Sequence, residues 1–194
     1  MNEQFWWYLA RATGLVAWGL SMASVLWGTA LATRVLGRRP PAPWLLDLHR
    51  HLGSLTVAFV GLHVGALVAD SYVHFGWADV LVPWASAWKS TAVAWGVIAG
   101  WMLVVIEGTS LLMRRIPRRV WHGVHLSSYL VAVLSTAHLF TAGTDASHPA
   151  VRVAVAATVS GMVFFLTYRQ LDPRRSPRAG KPARGVQIAP SRSS

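Results

Sequence analysis

Histidines recur inside apolar stretches of this chain. His49, His51 and His63 lie in LDLHRHLGSLTVAFVGLHV at 46–64, and His122, His125 and His138 lie in WHGVHLSSYLVAVLSTAHLF at 121–140. Neutral imidazole is the commonest metal ligand among side chains. Ionisable groups at membrane depth are costly, so they mark function there. His49 and His63 are 14 residues apart, and His125 and His138 are 13 apart. On a helix each spacing is roughly 20 Å along the axis. Two helices carrying two histidines each, at nearly matched depths, can supply two imidazoles to each of two stacked metal centres. A single tetrahedral zinc site is a poor alternative, because ligands roughly 20 Å apart along a helix cannot converge on one ion.

A pair of imidazoles on opposite sides of a haem iron closes both axial positions and favours electron transfer over oxygen chemistry. The chain has no C-x-x-C-H, so a haem would be held non-covalently, as b-type. Helix angles do not choose the ligands alone. At about 100° per residue, His49 and His63 are about 40° apart, but His125 and His138 are about 140° apart. A bulge or lateral offset in the second helix would repair this. His51 and His122 remain competitors. For a lone intramembrane histidine the plainer reading is a helix–helix hydrogen bond. His74 and His148 read as solvated loop residues.

The elements that position these residues read as membrane spans. The chain is 54% hydrophobic and 13% charged, against about a quarter charged in soluble domains. It has no cysteine, which excludes disulfides, thiolate haem ligation and cysteine-bound iron–sulfur clusters. Five spans of about 20 residues are expected: 8–31, 45–68, 91–113, 120–140 and 149–168. The N-terminal residues lack the basic region of a signal peptide, so the first span is expected to be retained. The predicted fold is therefore all-α, an integral membrane bundle of five transmembrane helices. Residues 1–172 form the membrane haem domain, and 173–194 form a basic, disordered tail.

Of the 18 Lys and Arg residues, 14 fall in the first and third interspan loops or after the fifth span, and Arg50, at the start of the second span, makes 15 on the same side. This places those segments in the cytoplasm, with the N-terminus outside and the C-terminus inside. The net charge of +11 is thus a topology signal and not a nucleic-acid surface. Trp6, Trp7, Tyr8, Trp77, Trp84 and Trp88 form an outer aromatic belt, with Trp44 and Trp121 at the inner face. The long loop from Asp70 to Lys89 is expected to lie along the outer surface. Haem carries propionates, so basic partners are expected: Arg11 for an outer haem, Arg50 for an inner one, with Arg34 and Arg118 behind it. Snorkelling to headgroups is the plainer reading of Arg11. Glu107 pairs with a loop arginine or relays protons to an inner quinone site. Gly53, Gly61 and Gly65 read as helix contacts or as space for a macrocycle.

HRHLG followed by LH at 49–63 resembles the H-R-x-L-G…L-H stretch of the ferric reductase-like transmembrane domain. WHGVHLSSYL…AH at 121–138 resembles its W-x-x-x-H-x-x-x-Y…H stretch, and YLARATG at 8–14 its opening helix. VPWASAW and GTD segments are similar to those of stand-alone bacterial members. The family includes eukaryotic ferric reductases, NADPH oxidases and the bacterial haem subunit of the methionine sulfoxide reductase system. The resemblance covers about residues 6–170. It implies a bacterial plasma-membrane protein with two haems, held by His49, His63, His125 and His138 rather than by His51 and His122. It also implies electron flow outward. No G-x-G-x-x-G follows the bundle, so the expected donor is a separate cytoplasmic-side flavoprotein, reduced flavin or quinol. The expected acceptor is an extracytoplasmic redox partner protein. Direct ferric-chelate reduction at the outer haem is the first alternative, and a haem or metal transporter the second. Two closed bis-histidine sites argue against the transporter.

Overall fold

The computed structural model describes residues 4–33, 35, 41–71 and 73–171. Seven helices are described: α1 (Gln4–Thr33), α2 (Ala42–Ala69), α3 (Trp77–Leu81), α4 (Ser90–Leu111), α5 (Arg118–Leu126), α6 (Ser128–Ala142) and α7 (Pro149–Leu171). No strand occurs among the described residues. Among the described residues, five stretches are long and apolar enough to cross a membrane: Gln4–Thr33, Pro43–Ala69, Ser90–Leu111, Arg118–Ala142 and Pro149–Tyr168. They match the five expected spans. The expected tail at 173–194, and Arg34, Arg38 and Arg39, lie outside the described residues.

Proline sets several helix starts. Pro41 caps α2, Pro117 caps α5 and Pro149 opens α7, positions where a missing N–H costs nothing. The helices associate through small side chains, as expected where lipid removes the hydrophobic drive between helices. The buried face of α1 includes Ala10, Thr13, Ala17, Ser21, Thr29 and Ala30, while Val104, Val133, Val163 and Phe164 face outward. Helix α1 packs mainly on α2, and α4 mainly on α6, while α7 rests on α1. Polar ties cross these interfaces. Trp18 Nε1 donates to Thr136 Oγ1 at 3.0 Å, Trp27 Nε1 donates to the Leu45 carbonyl at 3.0 Å, and the Thr29 and Tyr129 hydroxyls meet at 2.8 Å. Each such bond contributes on the order of 0.6 kcal/mol in a membrane.

The fourth span is not one helix. Helix α5 ends at Leu126 and α6 begins at Ser128. Ser127 makes the junction, its backbone N–H and its hydroxyl both bonding the Val124 carbonyl, at 3.1 and 2.6 Å. A three-residue turn advances about 120° per residue instead of 100°. Each residue in it therefore reduces the 140° mismatch between His125 and His138. The offset expected from the spacing sits between those two residues.

The loop between α2 and α4 carries the short α3, whose Asp79 accepts a hydrogen bond from the Gly76 N–H at 2.8 Å. Trp101 of α4 donates to the Leu81 carbonyl at 2.8 Å and holds the end of α3. Among the described residues of this loop, His74, Trp84 and Lys89 have positive φ.

Candidate functional site

The folded chain sorts the candidate histidines into two cross-helix pairs. His49 of α2 faces His125 of α5 with ring centroids 5.8 Å apart. His63 of α2 faces His138 of α6 at 6.4 Å. With metal–imidazole bonds of about 2 Å, two rings on opposite sides of one ion have centroids roughly 6 Å apart. His51 and His122 join neither pair: His51 is exposed over the Asp47 carbonyl, and His122 is exposed beside Trp121.

The hydrogen bonds behind the rings define which nitrogen is available. His63 Nδ1 lies 2.8 Å from the Ala10 carbonyl, and His138 Nδ1 lies 2.7 Å from the Ala92 carbonyl. A carbonyl only accepts, so each Nδ1 carries the proton and each Nε2 keeps the lone pair a metal needs. The other pair leans on hydroxyls, with His49 Nδ1 3.3 Å from Ser24 Oγ and His125 Nδ1 3.5 Å from Ser110 Oγ.

Glycines make room for three of the four rings. A Cβ on Gly14 would meet His63 at 2.9 Å, one on Gly28 would meet His49 at 3.0 Å, and one on Gly96 would meet His138 at 2.8 Å. Any larger residue must displace the imidazole. These contacts were missed from the sequence, although Gly14 and Gly28 repeat the 14-residue spacing of His49 and His63. Gly61 and Gly65, read there as helix contacts or as space for a macrocycle, have nothing within 4 Å of a Cβ position. The ring of His125 is instead stacked on Trp121, with centroids 5.1 Å apart and planes at 21°. Trp121, read as an interfacial anchor, is therefore part of the site.

The donor set fits haem. Among the described residues, no group of three or more His, Cys, Asp or Glu side chains is placed to hold a bare metal ion. Each histidine pair brings two imidazoles together, so the remaining ligands must arrive with the metal, as they do in a tetrapyrrole. Beside His125, Trp121 Nε1 is buried without a hydrogen-bond partner among the described residues, a donor suited to a carboxylate such as a propionate. A cavity of about 340 Å³ adjoins the His63–His138 pair, with Gly14, Gly96, Arg11 and Asp145 among its lining.

The expected basic partners are both engaged. Arg11 forms a two-pronged ion pair with Asp145 in the α6–α7 connection, through Nη2 to Oδ1 and Nε to Oδ2, the latter at 3.0 Å. The Trp7 and Tyr8 rings lie 5.8 and 5.9 Å from its guanidinium carbon. The hydrogen bond from Arg11 holds the Asp145 carboxyl below the usual carboxylate range. Arg50 lies 3.6 Å from Asp47 in an exposed pair, an arrangement that contributes little to stability. Glu107, expected to meet a loop arginine, makes no ion pair among the described residues and packs against Gly53 of α2.

A family model described as "Ferric reductase like transmembrane component" matches residues 13–136, more than half of the chain. The chain belongs to this family. The match on this ferric reductase-like chain includes His49, His63 and His125, while Arg11 and His138 stand just outside its two ends. Neither a curated protein nor a solved structure matches it. Membership and five membrane-spanning stretches together indicate a multi-pass membrane protein of a family suited to transmembrane electron transfer.

Proposed function

We propose that this chain passes electrons across the membrane through two b-type haems, one between His49 and His125 and one between His63 and His138. The observation that carries this reading is the facing of each α2 histidine to one ring of the fourth span, at 5.8 and 6.4 Å. Bound there, each haem supplies a one-electron ferric–ferrous couple. The Ala10 and Ala92 carbonyls orient the outer rings and fix their tautomers, Gly14 and Gly96 admit them, and the adjoining cavity wall is largely apolar. Arg11 with its partner Asp145, and Arg50 beside His49, are assigned to the outer and inner propionate ends.

The clustering of Lys and Arg in three segments favours a cytoplasmic position for the His49–His125 end. Electrons then enter at that inner pair from reduced flavin, a flavoprotein or quinol, and leave at the outer pair to an extracytoplasmic redox partner. The family description and the cavity beside His63 and His138 favour one second reading, direct reduction of a ferric chelate at the outer end. The test uses purified protein in liposomes, with a reductant on the inner-pair side and an acceptor on the other. Transfer in the wild type and its loss in His138→Ala support the relay. Wild-type transfer in that variant contradicts it. Replacing the partner protein with a ferric chelate separates the two acceptor readings.

A further inference from the structure

Glu107 lies in α4, within the third membrane span. Its carboxyl reaches across to α2, where a Cβ on Gly53 would overlap Oε1. Only glycine at 53 leaves that space. Among the described residues Glu107 makes no ion pair, and a carboxyl left so at membrane depth is costly enough to mark a function.

Its position relative to the histidines is fixed from two sides. Gly53 is one turn along α2 from His49. Ser110, one turn along α4 from Glu107, has its hydroxyl 3.5 Å from His125 Nδ1. Gly96, which touches His138, lies in the opposite direction on α4. The carboxyl therefore stands about one helical turn from the His49–His125 pair, on the side facing the second pair. An electron added at that pair places new negative charge beside it, and like charges at close range in a low-dielectric setting repel strongly.

We infer that Glu107 is a proton-binding site coupled to the inner pair. It takes up one proton when the inner centre gains one electron, and releases it when the electron moves on. This rests on the reading that the pair holds a haem. The step balances: a flavin- or quinol-class donor is oxidised by one electron, an O–H bond of hydronium in cytoplasmic-side solvent breaks to leave water, and a single O–H bond forms on the carboxyl. On transfer to the outer centre that bond breaks and the proton leaves.

The neighbouring elements bring few competing groups to this end. Helix α2 brings His49, the exposed His51 and the Asp47–Arg50 pair. Helix α5 brings His125 and the exposed His122, with Arg118 and Arg119 at its start. Helices α6 and α3 bring His138 and Asp79 to the other end of α4. The paired histidines are held as ligands, and arginine does not deprotonate in proteins.

The experiment is a spectroelectrochemical titration of the haem-loaded full chain at several pH values, with reduced-minus-oxidised infrared difference spectra. His138→Ala serves as the background that leaves only the inner centre. The expected result is an inner midpoint that falls as pH rises, with a redox-linked carboxylic C=O band. Both should disappear in Glu107→Gln and survive in His122→Gln. Where the Gln variant does not load haem, Glu107→Asp is the alternative, and there the band should shift. A pH-independent wild-type midpoint overturns the inference, as does unchanged pH dependence or an unchanged band in the loaded Glu107 variants. Failure of the underlying reading is distinct, since the wild type would then hold no inner haem at all.

Discussion

Gly14 of α1 and His63 of α2 are matched across the helix interface: a Cβ at 14 would come within 2.9 Å of the imidazole. The ring cannot retreat without losing its 2.8 Å bond to the Ala10 carbonyl. Gly14→Ala should therefore displace His63 and remove about one of two haems, with the chain still folded. Gly96→Ala should do the same through His138. Gly19→Ala is the control, because nothing lies within 4 Å of a Cβ there. Haem content per chain, with circular dichroism as the check on folding, decides the matter. Equal haem in all three variants would show that the glycines do not position the rings.

The Arg11–Asp145 pair sets an acid limit on stability. The carboxyl of Asp145 sits below its unfolded value because Arg11 donates to it. Its stabilisation is thus present above the unfolded value of about pH 4 and lost as pH falls through the lower folded value. Thermal melts in detergent should show the wild type losing stability below about pH 4 more steeply than Asp145→Asn. Parallel curves for the two proteins would contradict this.

The same pair gives a redox test with opposite signs. Arg11→Gln removes a positive charge near the outer pair and should lower the outer midpoint. Asp145→Asn removes a negative charge and should raise it. Shifts of the same sign, or no shift in either, would place the pair away from the outer centre.

Trp121 separates stacking from hydrogen bonding at the inner pair. Trp121→Phe keeps an aromatic ring against His125 but deletes the buried indole N–H. The inner haem should dissociate faster from this variant, measured by transfer to a haem acceptor protein, while the outer haem stays. Unchanged release would mean that the N–H has no partner on the bound group.

The helices and the histidines were legible in the sequence because hydropathy and spacing are local signals. The break at Ser127 was half-legible: the 140° mismatch of His125 and His138 required some offset, but not its position. The tie between Arg11 and Asp145 was not legible, since it depends on how the α6–α7 connection returns over α1. From sequence Arg11 was read as a propionate partner or as snorkelling to headgroups, with no acidic partner. Trp121 looked like one more interfacial aromatic, because nothing in a one-dimensional pattern distinguishes a belt residue from a ring stacked on a ligand. Glu107 lacked its expected arginine among the described residues for a similar reason, as its depth depends on the α2–α4 packing.

Whether each histidine pair holds its own haem is read from haem stoichiometry. Haem per chain is measured by pyridine haemochrome for the wild type, His49→Ala, His138→Ala and the double variant. The expected values are two, one, one and none, with low-spin spectra wherever haem remains. A wild type with one haem, or a double variant that keeps any, would contradict the account.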